Sequence, residues 1–134
     1  MGPTATALVG FAGWFLLLTL ILATIRTALE LSGKKAANGF ATDGSDLGGF
    51  TQRLTRARDN CYENLPLFAA VVLGAHISGS LAVTDPLAPW VLYARIGQSV
   101  THIASTSVPA IFLRFGFYGV QLAIWAAWIV QLLG

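Results

Sequence analysis

Charge is what this sequence has least of. Asp, Glu, Lys and Arg make up only 10% of its 134 residues while 55% are hydrophobic, against about 25% charged in an ordinary soluble domain. That imbalance excludes a soluble domain and defines a membrane protein. Cysteine is almost absent too. The single Cys61 rules out an internal disulfide and a cysteine-held metal cluster, and no metal site or nucleic-acid partner is expected. There is no internal repeat and no low-complexity tract.

Charge is missing altogether from residues 5–25, 64–84 and 115–134, and a fourth run, 86–106, is interrupted only by Arg95. About 20 helical residues cross about 30 Å of hydrocarbon, so each run is read as a span. The first is too long, and lacks the basic flank, for a cleaved signal peptide. The expected architecture is an all-α membrane protein, one four-transmembrane-helix up-and-down bundle with spans of about 5–28, 53–82, 87–106 and 110–133. Between them lies a polar loop of about 31–52 with turn signals at Asn38-Gly39, Asp43-Gly44 and Gly48-Gly49. A tight turn is expected near Thr84-Asp85-Pro86, and Pro109 suits the first turn of the last helix.

Orientation follows from the basic residues, because Lys and Arg in short loops stay on the cytoplasmic side. Arg26, Lys34, Lys35, Arg53, Arg56 and Arg58 all fall at or near the 31–52 loop, whereas the opposite face has Asp85 and the two termini. Both termini are therefore expected to be non-cytoplasmic in a multi-pass protein of the bacterial inner membrane or endoplasmic reticulum. Lys34, Lys35 and Arg53 read as topology signals and headgroup anchors that snorkel to the interface.

Deeper charges need another account, since an ionised group near the bilayer centre must face protein or water. Glu63 and Arg95 reach similar depth, so a purely structural Glu63–Arg95 pair is one explanation. Helical spacing offers a larger one. Arg56, Asn60 and Glu63 share a face of the second helix, Arg95, Gln98 and His102 a face of the third, and Arg114, Tyr118, Gln121, Trp125 and Trp128 a face of the fourth. Such polar stripes suit a small ligand carrying carboxylates and an amine. Cys61 points away from the Arg56 face and reads as a packing residue. Pro66 removes the hydrogen bond that the Tyr62 carbonyl would accept, which favours a kink there.

The stretch RARDNCYENLPLF at 56–68, with Arg95, Gln98 and His102 and then Arg114 followed by Tyr118, resembles the membrane-associated proteins of eicosanoid and glutathione metabolism. The resemblance covers nearly the whole chain and is closest to the leukotriene C synthase branch. It implies a homotrimer in which glutathione, as co-substrate, binds between subunits in the cytosolic half of the membrane. Carried over by position, it implies that Arg56, Asn60, Glu63 and the adjoining Asn64 hold glutathione, with Glu63 taking its amino group. Arg26, Arg58, Arg95, Gln98 and His102 join the same binding set. Arg114 is implied as the catalytic residue that stabilises the thiolate, helped by the helix dipole, and Tyr118 as its partner one turn on.

Asp59 and Phe115 stand where the prostaglandin synthase branch has arginine and serine, which disfavours that activity. The implied function is glutathione conjugation to a lipophilic electrophile that enters from the bilayer, reduction of lipid hydroperoxides, or both. The alternative is a noncatalytic protein of the same fold that binds lipid or a partner. A small four-helix exporter fits less well, because such proteins usually carry a carboxylate in a first span that here is uncharged.

Overall fold

A computed structural model describes all residues except Ala37, Asp43 and Leu47. The expected Asp43-Gly44 turn therefore lies in part outside the described residues. Regular structure among the described residues is wholly helical: α1 (Pro3–Leu31), α2 (Gly49–Ile77), a single-turn α3 (Leu81–Thr84), α4 (Ala88–Ala104) and α5 (Val108–Leu133).

Local chemistry explains the boundaries. Pro3 opens α1, Pro89 lies in the first turn of α4 and Pro109 in that of α5, positions where a helix has no N–H bond to lose. Ser107 caps α5 by accepting from the Ala110 N–H at 3.4 Å, which satisfies one orphan donor. Helix α2 departs from the expected 53–82 at both ends. It begins at Gly49 because Gly48, at φ 86, turns the chain into it, and it stops at Ile77 ahead of Gly79, at φ 71. Pro66 lies within α2, which continues through it.

The core is built from spaced apolar residues. Along α2, Leu54, Cys61, Phe68 and Ala75 are all buried, a strict seven-residue repeat that keeps one seam inward. They meet Phe11, Leu18 and Leu22 of α1, Val91 of α4 and Trp125 and Trp128 of α5. The Phe68 ring lies 5.3 Å from Phe11, 6.1 Å from Trp125 and 6.3 Å from Trp128. These two tryptophans are thus core residues, whereas the exposed Trp90 stands edge-on to Tyr93 at 5.9 Å. Cys61, fully buried with its Sγ 3.6 Å from Ser99 Oγ, is the packing residue expected.

The outward faces of α1 and α5 are greasy, with Leu16, Leu17, Leu20, Phe112, Leu113 and Phe115 exposed. Both helices are long and apolar enough to cross a membrane, with mean hydropathy 2.3 and 1.5 over their most apolar stretches. Helix α4 has 17 residues, about 25 Å at about 1.5 Å each, a little short of the hydrocarbon core. Helix α2 is long enough but carries Arg53, Arg56, Arg58, Asp59 and Glu63 in its first half.

At the end of the bundle holding the N-terminus, Asp85 accepts from the Thr4 backbone N–H at 3.2 Å and from its hydroxyl, while Thr4 Oγ1 lies 2.8 Å from Thr84 Oγ1. A carboxylate thereby covers the positive end of α1. At the other end the 31–52 loop folds back on α2. Gly44, at φ 73, comes so close that a Cβ there would lie 2.6 Å from Thr55 Oγ1, so only glycine serves.

Candidate functional site

Parts of the expected polar stripes come together where α2, α4 and α5 meet around a cleft of about 230 Å³. Asn60 enters from α2, Gln98 and His102 from α4, and Ile111, Arg114, Phe115 and Tyr118 from α5. Among the described residues, no acidic side chain lines it. Arg114 therefore faces the cleft with no carboxylate beside it, and the exposed Ile111 and Phe115 give the opening an apolar rim. Helices α4 and α5 can approach closely because Gly97 has no side chain; a Cβ there would lie 2.8 Å from the Phe117 ring.

A chain of hydrogen bonds with fixed direction stands behind the cleft. Arg95 is completely buried, its guanidinium 5.1 Å above the Phe11 ring, and Nη1 donates to Asn60 Oδ1. A guanidinium can only donate, so the Asn60 amide must turn its oxygen inward. Gln98 Nε2 donates to the same oxygen at 3.1 Å, and Gln121 Nε2 donates to Gln98 Oε1 at 3.0 Å and to the Phe117 carbonyl at 3.1 Å. Asn60 Oδ1 is thus occupied, and Nδ2 is the Asn60 group free to serve a ligand, as a donor. On the α5 side, Tyr118 Oη donates to Asn64 Oδ1 at 3.2 Å, and Asn64 Nδ2 donates to the Asn60 carbonyl at 2.8 Å.

The eleven residues predicted for the site divide three ways. Asn60, Gln98, His102, Arg114 and Tyr118 line the cleft. Arg95 and Asn64 hold its walls from behind. Arg26, Arg56, Arg58 and Glu63 lie outside it. Arg56 and Glu63 are exposed on α2, and Glu63 does not pair with Arg95. The ion pairs among the described residues are Lys35–Asp46 and Arg58–Asp59, at 2.6 and 2.7 Å. Arg58 and Asp59 border a separate groove with Phe15 and Tyr62. Arg26 rests over the Phe40 ring at 5.6 Å, and Lys35 approaches the same ring at 5.8 Å.

Two expectations about arginine change. Arg53, read from sequence as a headgroup anchor, donates Nε to the Ile103 carbonyl at 2.7 Å, so it satisfies an orphan carbonyl in the last turn of α4. Arg114 is the seventh residue of α5 rather than its first turn, beyond the reach of the helix dipole. Any attraction it exerts on an anion comes from its side-chain charge rather than from the dipole. Spacing puts Gln121 on the polar stripe of α5, and a glutamine in an apolar run needs a buried partner, which Gln98 supplies. Ile111 carries no polar signal to mark it, and Phe115, singled out in the sequence only as a departure from the prostaglandin synthase branch, lines the cleft beside it.

The fold and the cleft define an all-helical membrane protein with a cationic, donor-rich site between its helices. The chain belongs to the MAPEG family, the membrane-associated proteins of eicosanoid and glutathione metabolism, whose sequence profile matches residues 4–134. Searches of the curated proteins and of the solved structures returned no match.

Proposed function

We propose that this protein is a glutathione-dependent membrane enzyme. It binds glutathione as co-substrate, holds its sulfur as thiolate, and transfers it to a lipophilic electrophile that arrives from the bilayer; reduction of a lipid hydroperoxide is the companion reaction. In conjugation the sulfur forms a bond to the electrophilic carbon while that carbon releases its leaving group or opens a ring. In reduction the thiolate attacks the terminal peroxide oxygen, giving a sulfenate and an alcohol.

The observation that carries this reading is Arg114 lining a cleft that, among the described residues, has no acidic side chain in its wall. A free thiol with a pKa near 8.5 is only a few per cent ionised at neutral pH. A fixed cation close to the sulfur favours the anion. Lowering the thiol pKa by about two units corresponds to about 2.7 kcal/mol, an amount within the reach of one poorly screened charge. Asn60 and Arg114 supply donors for carboxylate or carbonyl oxygens, and the apolar rim suits a lipid-borne partner.

At about 230 Å³ the cleft falls below the usual range of about 300–1,000 Å³ for small-molecule sites. One subunit therefore surrounds only part of a tripeptide. The exposed Arg56 and Glu63 complete the site in the proposed homotrimer, where the outward face of α2 meets a neighbouring copy. Four membrane crossings with both termini non-cytoplasmic place the basic 31–52 loop on the cytosolic side, where glutathione is supplied.

A binding-only role draws support from the same two residues, since Arg56 and Glu63 stand outside the cleft of a single chain. Equilibrium binding of glutathione to the purified protein, followed by turnover of a model aryl halide, separates the readings. Binding with turnover supports the enzyme; binding of lipid without glutathione supports the alternative.

A further inference from the structure

Hydrogen-bond direction at Asn64 is dictated by its neighbours. One end of its amide lies 2.8 Å from the Asn60 backbone carbonyl, and a carbonyl oxygen can only accept, so that end must be nitrogen. The oxygen end then faces Tyr118 Oη, 3.2 Å away. An amide oxygen also only accepts, so the phenol donates. Asn64 is buried within α2, and both contacts are made within the protein. A phenol has one proton. Tyr118 borders the cleft, yet its proton is committed to the wall behind it, and the cleft is offered oxygen lone pairs.

We infer that Asn64 is a positioning residue that holds the Tyr118 proton out of the cleft, so that a bound thiolate is stabilised by Arg114 without a hydrogen bond from Tyr118. Tyr118 Oη acts instead as an acceptor for an N–H or O–H of the bound substrates. The identity of the thiolate rests on the proposed glutathione reading; the direction of the Tyr118 bond does not.

Two measurements test this, one without glutathione. In protein carrying isotope-labelled tyrosine, the infrared C–O stretch reports whether a phenol donates or only accepts, and subtracting Tyr118→Phe isolates its band from those of Tyr62 and Tyr93. The wild type should show a donor-type band whose frequency shifts in Asn64→Leu, where the freed proton finds a different acceptor. A band unchanged by Asn64→Leu, or one that is not donor-type in the wild type, overturns the inference. With glutathione bound, the thiolate absorbance is titrated against pH. Tyr118→Phe should move the apparent acid dissociation constant of the thiol by less than about threefold, whereas Asn64→Leu, by freeing the phenol proton, should raise it by about threefold or more. The double variant should cancel that gain, which a merely structural role for Asn64 would not do. A tenfold or greater loss of thiolate in Tyr118→Phe overturns the inference, and this arm decides the matter if Asn64→Leu does not fold. Should glutathione fail to bind, the proposed function falls while the infrared comparison still decides the assignment.

Discussion

Gln121 donates its side-chain amide to Gln98 Oε1 at 3.0 Å, joining α5 to α4 in the buried interior. Both side chains are buried, and the bond transmits orientation to Asn60, the next acceptor in the chain. Removing one partner leaves the other buried and unpaired, at a cost of about 1–3 kcal/mol, whereas removing both is far milder. Gln121→Leu is expected to lower thermal stability in detergent. Gln98→Leu/Gln121→Leu should recover a large part of the loss. A double variant whose loss is the sum of the two single losses would show that the pair is not coupled.

Glu63 makes a different kind of prediction because it is exposed in the single chain. If it takes the ammonium of glutathione in the assembled protein, Glu63→Gln keeps the shape and removes the charge. Affinity should fall by about 1.5–3 kcal/mol, the range for hydrogen bonds to charged groups. An unchanged dissociation constant from calorimetry would remove Glu63 from the site.

Assembly follows from the same residue. Arg56 and Glu63 lie on an outward face of α2, and charges at membrane depth need protein or water around them. Native mass spectrometry in mild detergent is expected to show a trimer, and a monomer alone under those conditions would count against a shared site.

The loop carries a pH dependence. Lys35, 2.6 Å away, holds the Asp46 carboxyl below its ordinary pKa. A carboxyl whose folded pKa is depressed contributes order that is present above its unfolded pKa, about 3.9, and lost as pH falls through the folded value. Hydrogen-exchange protection of the Ala41 amide, after correction for the intrinsic pH dependence of exchange, should therefore fall once pH drops below about 4. Asp46→Asn should show the lowered protection already at neutral pH, and wild-type protection in that variant would assign the loop's order to other contacts.

Much of this was legible in the sequence. Uncharged runs give α1 and α5, prolines the starts of α1, α4 and α5, and spacings of three and four put Asn60, Gln98, Arg114 and Tyr118 on faces that do converge. Periodicity could not reveal which side of a face a neighbouring helix covers. Arg56 and Glu63 share Asn60's stripe, yet they fall on its outward flank. Nor does spacing give hydrogen-bond direction. That Asn60 offers a donor, and that Tyr118 has spent its proton on Asn64, follow only once Arg95 and the Asn60 carbonyl are placed beside them. The role of Arg53 at the Ile103 carbonyl depends on how α2 and α4 end against each other, which no local pattern encodes.

The central claim is that the Arg114 charge holds a thiolate in the cleft, and it is tested most directly by the ultraviolet thiolate absorbance of bound glutathione in wild-type and Arg114→Ala protein. Wild type should show thiolate at neutral pH. Arg114→Ala should still bind glutathione, lose that absorbance, and conjugate a model aryl halide about a hundredfold more slowly, matching about 2.7 kcal/mol for two units of thiol pKa. Thiolate absorbance retained in full by Arg114→Ala, or absent from wild-type protein saturated with glutathione, would contradict the account.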